Sequence, residues 1–201
     1  MGLCLMLAFL FLSILVGQDR FRSLDYNLML YLQSLIGGNF DKPLSYFTLF
    51  GSTEVSFIVL SLIFIIVLIR KKHIFLGLSL FFIIYIIELL GKFFIFHPKP
   101  PPMFNRYALD FHFPSSFIVN TVSSFPSGHM ARSAFISLII LFILLWRKNN
   151  ITQKFIYSSL ILLFIVGMFI SRIFLGEHWL SDVIGGMIVG FAVGFYAIAL
   201  W

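Results

Sequence analysis

Three polar clusters break an otherwise apolar chain, and their residue types are those that handle phosphate. Lys92 is followed by Lys99-Pro100, Pro126-Ser127-Gly128-His129 forms the second cluster, and Ser171-Arg172, His178 and Asp182 form the third. Ionisable groups near membrane-spanning helices are costly and mark function. Here they supply cations, a helix-start anion site, two histidines and a carboxylate, a full set for cleaving a phosphoester bond.

His178 and Asp182 are four residues apart at the start of an apolar stretch, so they share a helix face. A carboxylate bonded to one ring nitrogen fixes the tautomer and leaves the other lone pair free to attack. Arg172, across the Gly176 break, can fork onto phosphate oxygens. Taken alone, the spacing equally describes a structural pair. In the second cluster Ser124 can cap a helix, Pro126 suits a first turn, and the Ser127 and Gly128 amides would face an anion at the positive dipole end. Gly128 lets that anion approach the backbone closely. His129 beside it would hold a proton for a leaving oxygen; a plain capped helix with a solvated histidine is the alternative. Lys92 lies at the end of an apolar segment, with Glu88 one turn earlier to neutralise or aim it. Snorkelling would also account for it. Lys99, between Pro98 and Pro100, can point to the same place. Independent accidents do not put all of these residues on one side in this order.

The elements that must position them are membrane helices. The chain has 201 residues, is 60% hydrophobic and 11% charged, holds 27 Phe and has a mean hydropathy of +1.04. A soluble domain of this length cannot hide so much apolar surface. The net charge of +6 sits in short runs between apolar segments, which suits lipid headgroups and topology signals and excludes a nucleic-acid face. The single Cys4 excludes an internal disulfide or a cysteine metal cluster. Gly2–Val16 lacks a basic start and a small-x-small site before Gln18, so it reads as an uncleaved first span.

Apolar segments fall at Gly2–Val16, Val55–Ile69, Ile74–Phe96, Met130–Trp146, Phe155–Ser171 and Trp179–Trp201. The expected fold is an all-α membrane protein, a six-span helical bundle forming one domain over residues 1–201. After the first span, Leu28, Leu30, Tyr31, Leu35 and Ile36 recur near helical spacing and predict an interfacial amphipathic helix. Gly37-Gly38-Asn39 ends it and Asp41-Lys42-Pro43 starts another short element. Arg70-Lys71-Lys72, Arg147-Lys148 and Lys154 assign their loops to the cytoplasm, so all three clusters meet at the outer face. Between Pro98 and Phe125, prolines stop the third span. Met103, Phe104, Tyr107, Phe111, Phe113 and Phe117 give this loop an oily side, as a headgroup-reading lid or as a loop resting on the bilayer. Gly186, Gly190 and Gly194 predict close helix packing within the bundle. Asn150-Ile-Thr matches a glycosylation sequon in a cytoplasmic loop and reads as chance. His73, His97 and His112 show no metal-ligand spacing.

The clusters resemble the type 2 phosphatidic acid phosphatase superfamily, whose pattern is Lys-x6-Arg-Pro, Pro-Ser-Gly-His and Ser-Arg-x5-His-x3-Asp. This chain reads Lys92-x6-Lys99-Pro100, Pro126-Ser127-Gly128-His129 and Ser171-Arg172-x5-His178-x3-Asp182, a motif-bearing core of residues 92–182. The resemblance implies that His178 is the nucleophile and forms a phosphohistidine, that Asp182 orients it, and that His129 protonates the leaving group. Lys92, Lys99, Ser127, Gly128 and Arg172 would hold phosphate oxygens, with no metal and no cofactor. Lys99 stands where the pattern has Arg, and a point charge replaces a planar fork. That loses about 1–3 kcal/mol if the contact is buried, for which Arg106 is a candidate compensation.

The implied activity is a membrane lipid phosphatase at the outer, periplasmic face of a cytoplasmic (inner) membrane. Its expected partner is a phosphorylated lipid, with membrane lipids around it and no nucleic acid. Undecaprenyl pyrophosphate, phosphatidylglycerol phosphate, phosphatidic acid and phosphorylated lipid A are the candidates. Transfer of phosphate to a second lipid uses the same chemistry, and a non-catalytic lipid-phosphate binder or transporter is the rival from another class.

Overall fold

The computed structural model describes residues 1–68, 75–111, 113–114, 121–146 and 149–200. The basic runs Arg70-Lys71-Lys72 and Arg147-Lys148, with His73, His112 and Phe117, lie outside the described residues. Within them the chain folds as α1 (Gly2–Gly17), α2 (Arg22–Leu35), α3 (Asp41–Thr48), α4 (Thr53–Leu68), α5 (Phe75–Ser79), α6 (Phe81–Phe94), α7 (Gly128–Trp146), α8 (Ile151–Phe174) and α9 (Leu180–Ala199).

Among the described residues, four stretches are long and apolar enough to cross a membrane: Leu76–Phe94, which joins α5 to α6, then α7, α8 and α9. Helices α1 and α4 have 16 residues each, short of the roughly 20 that a crossing takes. Each becomes a span only with its neighbour, across bends of 94° between α1 and α2 and 49° before α4. The expectation of six spans is therefore met as four, or up to six if each bent pair counts.

Helix α2 follows the first apolar segment as expected, but its faces divide differently. Leu30, Tyr31 and Leu35 are exposed, while Met29 and the charged Asp25 are buried. Leu28 and Leu32 pack against the core beside Met29. An amphipathic helix that buries an aspartate is not simply resting on lipid; it delivers that carboxylate to the protein interior.

Helices α7 and α9 form the centre of the bundle. A Cβ at Gly186 would come within 2.2 Å of the Ser127 carbonyl, and one at Gly190 within 2.2 Å of the Ala131 carbonyl. The glycine stripe thus serves packing inside the bundle, as its spacing implied. Phe125, three residues before α7 begins, stacks on Phe9 of α1 at 5.7 Å, and Phe81 of α6 meets Phe135 of α7 at 5.4 Å. Helix α8 starts earlier than the hydropathy implied because Asn150 caps it, accepting from the Gln153 amide at 2.8 Å while Gln153 returns the bond. The sequon asparagine is a helix cap.

The loop after α6 is anchored to the protein. Gln33 donates to the Phe104 and Phe174 carbonyls at 2.8 Å, the Arg106 amide donates to the Leu175 carbonyl at 3.0 Å, and the Ala108 amide to Ser45 Oγ at 3.0 Å. Phe104 is buried, whereas Met103 and Phe111 stay exposed. Gly176, with φ of +70°, turns α8 towards α9, and a Cβ there would lie 2.1 Å from the Phe104 carbonyl. Only glycine satisfies both the left-handed backbone and that approach.

Candidate active site

The three sequence clusters are stapled together by backbone at one end of the bundle. Both the amide and the hydroxyl of Ser124 donate to the His97 carbonyl, at 2.8 and 3.1 Å, and Lys99 N donates to the Val122 carbonyl at 3.3 Å. The Ser127 amide donates to the Asp182 carbonyl at 3.0 Å. Trp179 Nε1 reaches the Pro98 carbonyl at 2.7 Å. These bonds correct part of the sequence reading: Ser124 binds back to the first cluster and caps nothing, and the Ser127 amide is spent on α9. Its hydroxyl is buried and holds no hydrogen bond among the described residues.

A cavity of about 720 Å³ opens where the clusters meet, with Glu88, Lys92, Lys99, His129, Arg132, Arg172, Glu177 and His178 among its polar lining. Phe57, Phe82 and Leu89 line it as well. This volume falls in the range of ligand sites, roughly 300–1,000 Å³.

His178 follows the Gly176 turn and is 8% exposed. Its Nδ1 lies 3.3 Å from Asp182 Oδ2, one helical turn on, and that same oxygen accepts the Trp179 amide at 2.9 Å. Burial holds the His178 imidazolium below its usual range, against the Asp182 hydrogen bond that pulls the other way. The ring is neutral near neutral pH, the form in which a nitrogen lone pair exists. Asp182 is fully buried, and its other oxygen, Oδ1, accepts from His97 Nδ1 at 2.9 Å.

Lys92, Arg132 and Arg172 are already paired with the protein's own carboxylates. Lys92 Nζ lies 2.6 Å from Glu88 Oε1, so of the two accounts of Lys92 the ion pair is the one found. Glu88 Oε2 takes Arg132 Nη1 at 2.7 Å. A Cβ at Gly128 would lie 2.1 Å from that carboxylate, which therefore occupies the start of α7 where the sequence placed an external anion. Arg172 belongs to the last turn of α8, where Nη1 donates to Thr48 Oγ1 at 2.6 Å and pairs with Glu177. Helix α8 runs past the predicted end at Ser171, with Thr48 and Glu177 holding Arg172 Nη1 while its buried Nε has no hydrogen bond among the described residues. Burial, then the neighbouring Lys92, lowers Lys99 from its ordinary value.

Two placements differ from the sequence reading. Arg106, proposed as compensation for Lys99, is turned away: its guanidinium lies over the Phe174 ring at 5.1 Å and 3.6 Å from Asp41. Arg132 was missed. It is 4% exposed, donates Nε to the Gly51 carbonyl at 3.1 Å, and covers the Tyr85 ring at 5.2 Å. A guanidinium inside an apolar span, three residues after His129 and on the same face, was the available signal. Asp25 was missed as well, since nothing near it in sequence shows that it meets α9.

Helices of membrane length, joined at one end by a cavity lined with cationic side chains and two histidines, define a multi-pass membrane protein. The chain belongs to the PAP2 superfamily, whose model matches residues 72–201, as the three motifs implied. No curated protein sequence matches it. Among solved structures, a transmembrane PAP2-type phosphatidylglycerolphosphate phosphatase from Bacillus subtilis is 22% identical, with a TM-score of 0.74 over 98% of this chain and 94% of that one. Aquifex aeolicus LpxE is 22% identical, with a TM-score of 0.62 over 88% of this chain and 95% of its own. These two likenesses establish the fold.

Proposed function

We propose that the protein is a membrane lipid phosphatase that hydrolyses a lipid phosphomonoester or pyrophosphate through a phosphohistidine on His178. The observation that carries this reading is the mixed lining of the cavity. It is lined by Lys92, Lys99, Arg132, Arg172, His129 and His178 together with Phe57, Phe82 and Leu89. A phosphate bearing an apolar tail matches both kinds of side chain.

His178 Nδ1–H donates to Asp182, so Nε2 carries the lone pair and attacks phosphorus. As the P–O bond breaks, His129 gives its proton to the leaving oxygen, and the phosphoryl group rests on Nε2. Water then attacks phosphorus, His129 takes one of its protons, and the P–N bond breaks to free phosphate and neutral His178. Lys92, Lys99, Arg132 and Arg172 stabilise the charge that moves onto the equatorial oxygens in both steps. The Ser127 hydroxyl and the start of α7 complete the cradle once Glu88 yields its place. Fixed cations supply the electrostatics, so the reaction is assigned no metal.

One of the similar structures is a phosphatidylglycerolphosphate phosphatase, which supports keeping phosphatidylglycerol phosphate among the candidate substrates. The Lys and Arg runs of the sequence support a site on the outer face of a cytoplasmic membrane. The test is phosphate release by purified protein from phosphatidylglycerol phosphate, phosphatidic acid, undecaprenyl pyrophosphate and phosphorylated lipid A, with and without chelator, beside His178→Ala. Release that survives chelator and is lost in the variant is expected. Undiminished activity in the variant removes the nucleophile, and a requirement for added magnesium removes the metal-free step.

A further inference from the structure

Behind the nucleophile lies a buried chain of ionisable groups that the three motifs do not include. His97, 4% exposed, sits between two carboxylates: Nδ1 is 2.9 Å from Asp182 Oδ1, and Nε2 is 3.6 Å from Asp25 Oδ2. Asp25 comes from α2, is 2% exposed, and is fixed by the start of α9, accepting the Ser181 amide on Oδ1 and the Ser181 hydroxyl on Oδ2, both at 2.8 Å. The His97 backbone is held too, its amide donating to Ser123 Oγ at 3.3 Å and its carbonyl accepting twice from Ser124. Asp182 therefore lies between two imidazoles, one facing the cavity and one facing α2.

We infer that His97 is a positioning residue for the reaction, an imidazolium that bridges Asp25 to Asp182 and so fixes the carboxylate that orients His178. The inference rests on the phosphatase reading above. Its physical basis is geometric. A buried carboxylate with one strong partner can rotate, whereas one gripped at each oxygen presents a single lone-pair direction to His178 Nδ1. The cation also offsets the second buried carboxylate, because two aspartates around one site cannot both stay ionised without a counter-charge. Asp25 from α2 and Asp182 from α9 are the charged groups facing His97, with His178 beyond Asp182. Burial alone would lower His97, and the bonds to Asp182 and Asp25 override it, raising it to about 9.

The experiment compares wild type with His97→Gln, which keeps a donor but no charge, and His97→Arg, which restores the cation. In phosphate release from a lipid phosphate, H97Q is expected to lower kcat at least tenfold with KM within about twofold, and H97R to recover most of the loss. Wild-type kcat should decline with a midpoint near pH 9 that H97R lacks. A wild-type kcat for H97Q, or equal deficits in H97Q and H97R, overturns the inference. Where H97Q does not fold, persistence of the midpoint in H97R does the same. Thermal unfolding is a readout independent of turnover. A folded-state pKa raised above the unfolded value gives stability that is full below about pH 6.5 and is lost as pH rises through about 9. The Tm of wild type should therefore fall more between those limits than that of H97Q, and parallel curves overturn the bridge. A wild type that releases no phosphate removes the phosphatase reading, while the unfolding comparison still decides the bridge.

Discussion

Glu88 is placed so that its removal should weaken the protein and strengthen its grip on phosphate. Its carboxylate takes Lys92 at 2.6 Å and Arg132 at 2.7 Å, and it lies against Gly128 at the start of α7. In Glu88→Gln one carboxamide oxygen still accepts from one cation, while the amide nitrogen meets the other. One charge-assisted bond is lost, about 1.5–3 kcal/mol. At about 2–4 °C per kcal/mol for a chain of this size, Tm should fall by roughly 3–12 °C. Anion binding should move the other way. A phosphate between Lys92 and Arg132 would lie within about 6 Å of Glu88, where Coulomb repulsion at an effective dielectric of 20 is about 3 kcal/mol, about 100-fold in affinity as an upper limit. Inhibition by inorganic phosphate and by orthovanadate, measured in detergent beside a thermal melt, reads both effects. Inhibition constants that stay level or rise while Tm falls would show that Glu88 merely braces Lys92 and Arg132, and the idea that it holds the anion's place would be wrong.

Three further outcomes follow from the same geometry. Arg132→Lys keeps the charge but cannot reach both the Gly51 carbonyl and Glu88 while covering Tyr85; kcat/KM should drop about tenfold or more, in line with one lost charge-assisted bond of about 1.5–3 kcal/mol, and an unchanged value would exclude Arg132 from the site. Gly176→Ala must place a Cβ 2.1 Å from the Phe104 carbonyl at a φ of +70°, so Tm should fall with a loss of about 1–3 kcal/mol or more, and a wild-type melt would show that the turn relaxes freely. Because burial keeps the His178 imidazolium below its usual value, its lone pair survives acidification, and the acid limb of kcat/KM should lie below pH 6.5. A limb at or above that pH would mean that a different group limits the rate.

How much of this was legible in the sequence depends on how far apart the cooperating residues lie. His178 and Asp182 are one turn apart, and their pairing follows from helical spacing alone; so does Glu88 with Lys92. The glycine stripe announced tight packing through a local period. What could not be read are the bonds that cross the chain. Arg172 is held by Thr48, 124 residues away, and Ser181 by Asp25, 156 residues away. Arg106 illustrates the converse, since its charge and neighbourhood suggested the cavity, but the loop is anchored with its side chain over Phe174. Span limits erred where polar residues were held inside helices: Arg172 prolongs α8 at its end, and the Asn150 cap extends it at its start.

These long-range bonds give the N-terminal residues, which the family match from residue 72 does not cover, a defined task. Thr48 holds Arg172, Gly51 holds Arg132, and Asp25 holds both His97 and the start of α9. Each is an acceptor that orients a donor whose charge or proton serves the cavity. In the proposed reaction the motif residues carry the reactive groups, and the first helices supply the acceptors that fix their directions. A change at Asp25 or Thr48 should then act through kcat even though neither is a motif residue, whereas Gly51 serves through its main-chain carbonyl. The two side chains can be ranked by what they leave unpaired: Thr48→Val removes one of the two partners of the Arg172 guanidinium, Thr48 and Glu177, whereas Asp25→Asn removes the second counter-charge of His97 and one charge-assisted partner of Ser181. The aspartate variant should lose the more activity of the two, and the reverse order would mean that His97 is held by Asp182 alone.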